Sequence, residues 1–193
     1  MIAGLILAAG ESSRMRSPKA LLRIGEVTFA EHIASTMRKC RVDPVLLVAG
    51  AHIDEIRARF GDTDKFKLLY NSRYTHGQLS SLKEGLRHLP AGVQAVLVWP
   101  VDQPLVQPDT ITRLIEDFNR EGKPVAIPAS RGKHGHPVLY GLPAIQAILN
   151  LKKDQTAKEI RSIYKEETLF VEVDDPGILI DIDTPEEYQE HIR

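Results

Sequence analysis

The segment Leu5–Gly25, LILAAGESSRMRSPKALLRIG, decides the fold. Its apolar run stops at Gly10, as a central parallel strand buried on both faces would. A polar loop follows, carrying Ser12, Ser13, Arg14, Arg16 and Lys19, before apolar residues return. Glycine lets a backbone approach a ligand closely. Loop N–H groups bind phosphate oxygens, and Arg14 adds a bidentate fork where Lys19 adds a point charge. The segment reads as an anion cradle. Taken alone, it reads equally as a solvated loop with incidental cations.

Outward from this stretch, apolar runs alternate with amphipathic ones. PVLLVAG (44–50), FKLLYN (66–71), QAVLVWP (94–100), KPVAIPA (123–129), HPVLYG (136–141), TLFVEV (168–173) and GILIDID (177–183) read as strands. Between them, FAEHIASTMRKC places Phe29, Ile33, Met37 and Cys40 at helical spacing, and AHIDEIRARF turns Ile53, Ile56 and Phe60 inward. GQLSSLKEGLRHL carries a leucine face. PDTITRLIEDFNREG starts near Pro108 with Asp109 or Thr110 as cap, and PAIQAILN and TAKEIRSIYK are short helices. TPEEYQEHI opens on a capping box, Thr184 with Glu187. This alternation predicts a three-layer α/β/α fold: a mostly parallel sheet with helices on both faces, in one domain over 1–193. The irregular stretch 129–143, with SRGKHGH, predicts a small inserted hairpin. Ligands bind beyond the carboxyl ends of such strands, which brings 10–19, 71–81, 100–105 and 181–184 to one edge.

Composition narrows the function. The chain has 193 residues, 42% hydrophobic and 26% charged, with a net charge of -1. That balance gives no reason to expect nucleic acid or an anionic membrane as partner. The lone Cys40 excludes an intrachain disulfide and a Cys-based zinc site, and suits a reducing cytoplasm. No apolar run reaches the roughly 18 residues that span a bilayer, so the expected location is cytoplasmic.

Other phosphate motifs are missing: there is no GxxxxGK[ST], and no GxGxxG follows the first strand. LAAGESSRMRSPK (7–19) instead resembles LAAGxSxRMxxPK, the signature of the sugar-phosphate and cofactor nucleotidyltransferases. VDQPLV (101–106), GHPVLY (135–140) and DIDTPEEY (181–188) are similar to the molybdenum cofactor branch. The chain departs from the family in having Arg16 where glycine is usual and Val101 where GDxP is usual. Ala9 stands where the guanylyl branch usually has glycine, which favours the cytidylyl branch.

The resemblance implies a Mg²⁺-dependent transfer of CMP from CTP to molybdopterin or its molybdenum-loaded form, with release of pyrophosphate. It implies backbone contacts from Leu7, Ala8, Ala9 and Gly10, with Arg14 on the β/γ-phosphates and Lys19 on the α-phosphate. Asp102 is the implied metal ligand and Asp183 the second, with Asp181 the close alternative. Gln78, Ser80 and Ser81 belong to the segment that holds base and ribose, and His136 belongs to the acceptor side. The partners expected are small molecules, with a molybdoenzyme as client of the product. Three other readings stand beside this one: a guanylyltransferase, a sugar- or polyol-phosphate nucleotidyltransferase, and a non-catalytic pterin carrier. His32, His52, His76, His88 and His191 are read as surface or helix residues, and Trp99 as core packing beneath the site.

Overall fold

The computed structural model describes residues 1–61, 63–152 and 155–192. Its elements run β1 (Ile2–Ala8), β2 (Arg23–Ile24), β3 (Val27–Thr28), α1 (Phe29–Lys39), β4 (Val45–Ala49), α2 (Ile53–Phe60), β5 (Lys67–Tyr70), α3 (Gln78–Arg87), β6 (Ala95–Pro100) and α4 (Pro108–Glu121). They continue β7 (Val125–Ser130), β8 (Lys133–His134), β9 (Val138–Gly141), α5 (Leu142–Asn150), α6 (Lys158–Ile163), β10 (Thr168–Glu172) and α7 (Pro185–His191).

The sheet order is β10-β7-β9-β6-β1-β4-β5, with β8 paired to β7. Within this sheet the pairings are parallel except those of β8 and β9, and β2 and β3 form a separate antiparallel pair. Period two explains why the central strands look apolar throughout. Along β1, Ile6 packs with Phe29, Ile33, Met37 and Ile111 from α1 and α4, while Leu5 and Leu7 pack with Leu79, Leu82 and Leu86 of α3. Both faces are therefore covered, as a mostly parallel sheet requires.

The irregular stretch is a hairpin. Ala129 pairs with His134 and Ser130 with Lys133, around a two-residue loop in which Arg131 and Gly132 have φ of 52° and 75°. Positive φ at both central positions matches the right-handed twist of the flanking strands. The strand β9 then inserts antiparallel between β6 and β7.

Two sequence expectations fail. GILIDID is not a strand. Asp175 Oδ1 accepts the Gly177 N–H at 2.9 Å and bends the chain into a short 3-10 turn, Pro176–Leu179. Beyond it the chain is pinned by single bonds, His136 N–H to Ile178 O at 3.1 Å and Ile182 N–H to Asp102 O at 2.8 Å, with Ile178 and Ile182 fully buried. Neither Asp109 nor Thr110 caps α4. Gln107 holds the cap position with no side-chain bond. A residue remote in sequence does the work: Asp175 Oδ2 accepts the Gln107 N–H at 2.8 Å and the Thr110 hydroxyl at 2.7 Å. Propensity at a helix start cannot show a cap delivered from 65 residues away.

Candidate active site

The chain winds outward from β1 on one side through β4 to β5, then returns to place β6 on the other. This reversal opens a crevice beyond the carboxyl ends of β1 and β6. A cleft of about 440 Å³ occupies it.

Its floor is the end of β1, Leu7 to Gly10, and its near wall is the polar loop. Arg16 adopts φ 59°, the left-handed conformation that glycine would take freely, and its N–H bonds Ser12 O at 2.9 Å. The loop thus keeps a tight turn despite the arginine, at a cost of about 1 kcal/mol. Val101 also leaves the path undisturbed: its N–H extends the sheet by bonding Leu7 O at 3.0 Å. Trp99 is fully buried beneath the site, and its indole N–H holds Gln103 O at 2.9 Å, fixing the turn that carries Asp102.

The centre of the cleft is Lys19. Its ammonium donates to Asp102 Oδ2 at 2.9 Å and also to Asp183 Oδ1. Arg14 reaches Asp183 Oδ2 at 2.6 Å from a side chain that is 67% exposed. Burial works to lower the Lys19 pKa, but the Asp102 charge and the bonds to both carboxylates raise it above its usual value. Burial likewise raises Asp183, and Lys19 and Arg14 outweigh it to hold that carboxyl below its usual range. Lys19 is therefore a permanent cation and Asp183 a permanent anion near neutral pH.

Among the described residues no three His, Cys, Asp or Glu side chains cluster as a metal cage. Asp102 and Asp183 nevertheless converge on one cation. Two carboxylates facing an open cleft suit Mg²⁺, which completes its octahedron with water and substrate phosphates. Asp181 is engaged by a different partner: its Oδ1 accepts the Gln103 Nε2–H at 2.5 Å, in the hollow that Asp102 and Asp183 also line. The segment 181–183 is not a strand, so the period of two does not set which way its aspartates face.

The far wall is the start of α3. Gln78 and Ser81 line the cleft. Ser80 does not: its hydroxyl lies 2.8 Å from both Arg73 O and Gly77 O, shares its one proton between them, and faces a different hollow. The buried Asn71 joins the two serines, with Nδ2 at 2.9 Å from both hydroxyls. His52, read from sequence as incidental, also lines the cleft, with Nε2 at 2.8 Å from Glu11 O and Nδ1 at 3.0 Å from Glu55. The signal was available, since Gly50 follows the end of β4 at the same sheet edge. Tyr74 and Thr75 also line the cleft, inside the segment already assigned to that edge.

A second hollow of about 390 Å³ continues from the cleft past Asp102 and Asp183 to His136, Asp181 and Gln103. Burial lowers the His136 pKa, against Asp181 and Asp102 which raise it, so the imidazole is neutral. Gln103 Oε1 is buried and has no hydrogen-bond partner among the described residues.

Comparison with known proteins decides the family. The model of the MobA-like NTP transferase domain matches residues 4–169. The chain belongs to this family. Its members are nucleotidyltransferases that generally use divalent metals. The molybdenum cofactor cytidylyltransferase of Escherichia coli is 25% identical over 185 residues, covering 95% of this chain and 92% of that protein. A probable molybdenum cofactor guanylyltransferase of Mycobacterium avium is 30% identical over 144 residues, covering 72% and 68%. Among solved structures, a nucleotidyl transferase of Methanothermobacter thermautotroptrophicus superposes with a TM-score of 0.83 at 26% identity, covering 100% of this chain and 96% of that one. Rv0371c of Mycobacterium tuberculosis, solved also with manganese, shares the fold with a TM-score of 0.84 at 22% identity, covering 100% and 98%. Within this MobA-like chain no described helix is long and apolar enough to cross a membrane.

Proposed function

We propose that the protein transfers CMP from CTP to molybdopterin, or to its molybdenum-loaded form, and releases pyrophosphate. The observation that carries this reading is the convergence of Lys19, Asp102 and Asp183 at the β1/β6 crevice, beside the Gly10 loop. The acceptor phosphate is already ionised, so no general base is required. Its oxygen bonds to the α-phosphorus while the bond from that phosphorus to the bridging oxygen breaks, and the electron pair leaves on pyrophosphate. Two anions must meet, and the chain answers with cations: Lys19 on the α-phosphate and Arg14 on the departing β/γ-phosphates. Asp102 and Asp183 would hold a divalent ion, of which Mg²⁺ is the natural choice, and that ion supplies charge neutralisation to the phosphates.

The base is read as cytosine on two grounds. Ala9, buried at the cleft floor, stands at the position where the guanylyl branch usually has glycine. The cytidylyltransferase relative also spans nearly the whole chain. The guanylyl reading has its own support in the relative at 30% identity. The half-buried free thiol of Cys40 suits the cytoplasm, and a molybdenum enzyme would consume the product.

The test is pyrophosphate release from CTP, GTP, UTP and ATP, with Mg²⁺ and the pterin acceptor. Release from CTP that requires the pterin supports the proposal. Preference for GTP moves the protein to the guanylyl branch. Release only with sugar or polyol phosphates replaces the acceptor, and pterin binding without turnover leaves a carrier.

A further inference from the structure

Behind the far wall of the cleft lies another concavity, of about 550 Å³. It shares no lining residue with the nucleotide cleft. The chain from Arg73 to Lys83 is the partition: Tyr74, Gly77, Gln78 and Ser81 face one side, and Arg73, His76, Ser80 and Lys83 face the other.

The charge on this second side is lopsided. Arg73, Lys83 and Arg87 line it with a single carboxylate, Glu84, on a chain whose net charge is -1. Glu84 is already shared between Arg87 at 3.8 Å and His88 at 3.5 Å. The half-buried Lys83 donates to the carbonyl of Leu151, a neutral partner. Among the described residues Arg73 has no ion pair. Burial, and after it the neighbouring Arg87, push the Lys83 pKa down. The volume falls in the range of small-ligand sites, roughly 300–1,000 Å³. Tyr70, 46% exposed at the end of β5, adds an aromatic ring to the wall.

We propose that this concavity binds the phosphate or diphosphate group of a small metabolite, and that its occupancy is felt in the nucleotide cleft through Asn71. Arginine forks and a lysine point charge match phosphate oxygens. Asn71 is the link. Its Nδ2 holds Ser80, which lines the concavity, and Ser81, which lines the cleft, while its Oδ1 accepts the Arg73 N–H at 2.9 Å. An anion drawing on Arg73 therefore pulls on the bonds that seat Ser81 and the start of α3. A ligand that shifts this partition changes nucleotide affinity, and nucleotide changes the ligand's affinity by the same factor.

Pyrophosphate titration by calorimetry tests the site without turnover, so the outcome is separate from that of the CTP assay. The Arg14→Ala/Lys19→Ala variant disables the cleft and reads the concavity alone. Binding of one pyrophosphate per chain is expected, weakened about tenfold or more by adding Arg87→Gln or, separately, Lys83→Gln. Arg87 is exposed, so its replacement leaves the fold intact, as circular dichroism will verify. Absence of binding to the double variant, or binding indifferent to both added substitutions, overturns the site. Amide NMR reads the link: pyrophosphate should shift Gln78 and Ser81 in the double variant and lose that effect with Arg87→Gln. Unmoved Gln78 and Ser81 signals overturn the coupling.

Discussion

Lys19 donates to Asp102 Oδ2 at 2.9 Å across 83 residues of chain, with its ammonium lying where both Asp102 and Asp183 can reach it. Lysine and a divalent ion therefore want the same two carboxylates. In the Lys19→Ala variant those carboxylates face each other uncompensated, and Mn²⁺ binds the nucleotide-free protein more tightly than it binds the native chain. Turnover falls by roughly 10²–10³, the usual effect of removing one charge-stabilising donor. Manganese titration followed by electron paramagnetic resonance checks the first claim; weaker metal binding in the variant would show that Lys19 does not compete.

Asp181 and Asp183 should separate cleanly. Asp183→Asn and Asp102→Asn each weaken Mn²⁺ binding and remove most turnover. Asp181→Asn leaves metal binding unchanged, because its carboxylate is engaged by Gln103 in the adjoining hollow. Its effect appears as a raised KM for the acceptor. Loss of metal binding in Asp181→Asn would reverse the assignment.

Glu31 makes stability depend on acid. This buried side chain is bonded by Lys65 at 2.6 Å and by the N–H and hydroxyl of Thr28 at 3.0 and 2.9 Å. Burial alone would raise its pKa; Lys65 and Thr28 pull it instead from 4.5 to about 2. A depressed folded-state pKa contributes stability above the unfolded value, here about 3 kcal/mol. That contribution is complete above about pH 5 and fades as pH falls toward 2. Urea unfolding of Glu31→Gln should therefore lose stability at pH 7 and converge with the native protein near pH 2. A deficit that is constant with pH would mean lost packing rather than lost charge.

Asp175→Ala removes the acceptor of three bonds at once, from Gln107, Thr110 and Gly177. The residue is 3% exposed, so the abandoned donors stay out of water. A loss of about 3 kcal/mol in urea unfolding is expected. Asp175→Asn, which keeps one acceptor oxygen, should recover part of it. A change under about 0.5 kcal/mol, as at ordinary surface sites, would mean that water replaces the carboxylate.

The layered fold was legible because it rests on local periodicity. The apolar run of β1, the helical spacing of Phe29, Ile33 and Met37, and the Thr184–Glu187 capping box all act within a few residues, and all appear in the structure. The edge that gathers Gly10 and Asp102 followed from strand direction, whereas Asp183 reaches it from a segment that is not a strand. Three features needed tertiary structure. GILIDID has the composition of a strand, yet it is held by single bonds to Asp102 and His136, because Asp175 turns the chain before a ladder can form. Ser80 and Ser81 are neighbours in sequence but lie on opposite sides of a partition, since successive helix residues point about 100° apart and Asn71 fixes which side each takes. The meeting of Lys19 with Asp102 and Asp183 joins residues 83 and 164 positions apart. Sequence determined which groups can carry charge and where each strand ends. Only the packed sheet decided which charges touch, because Coulomb energy depends on distance in space and not on separation along the chain.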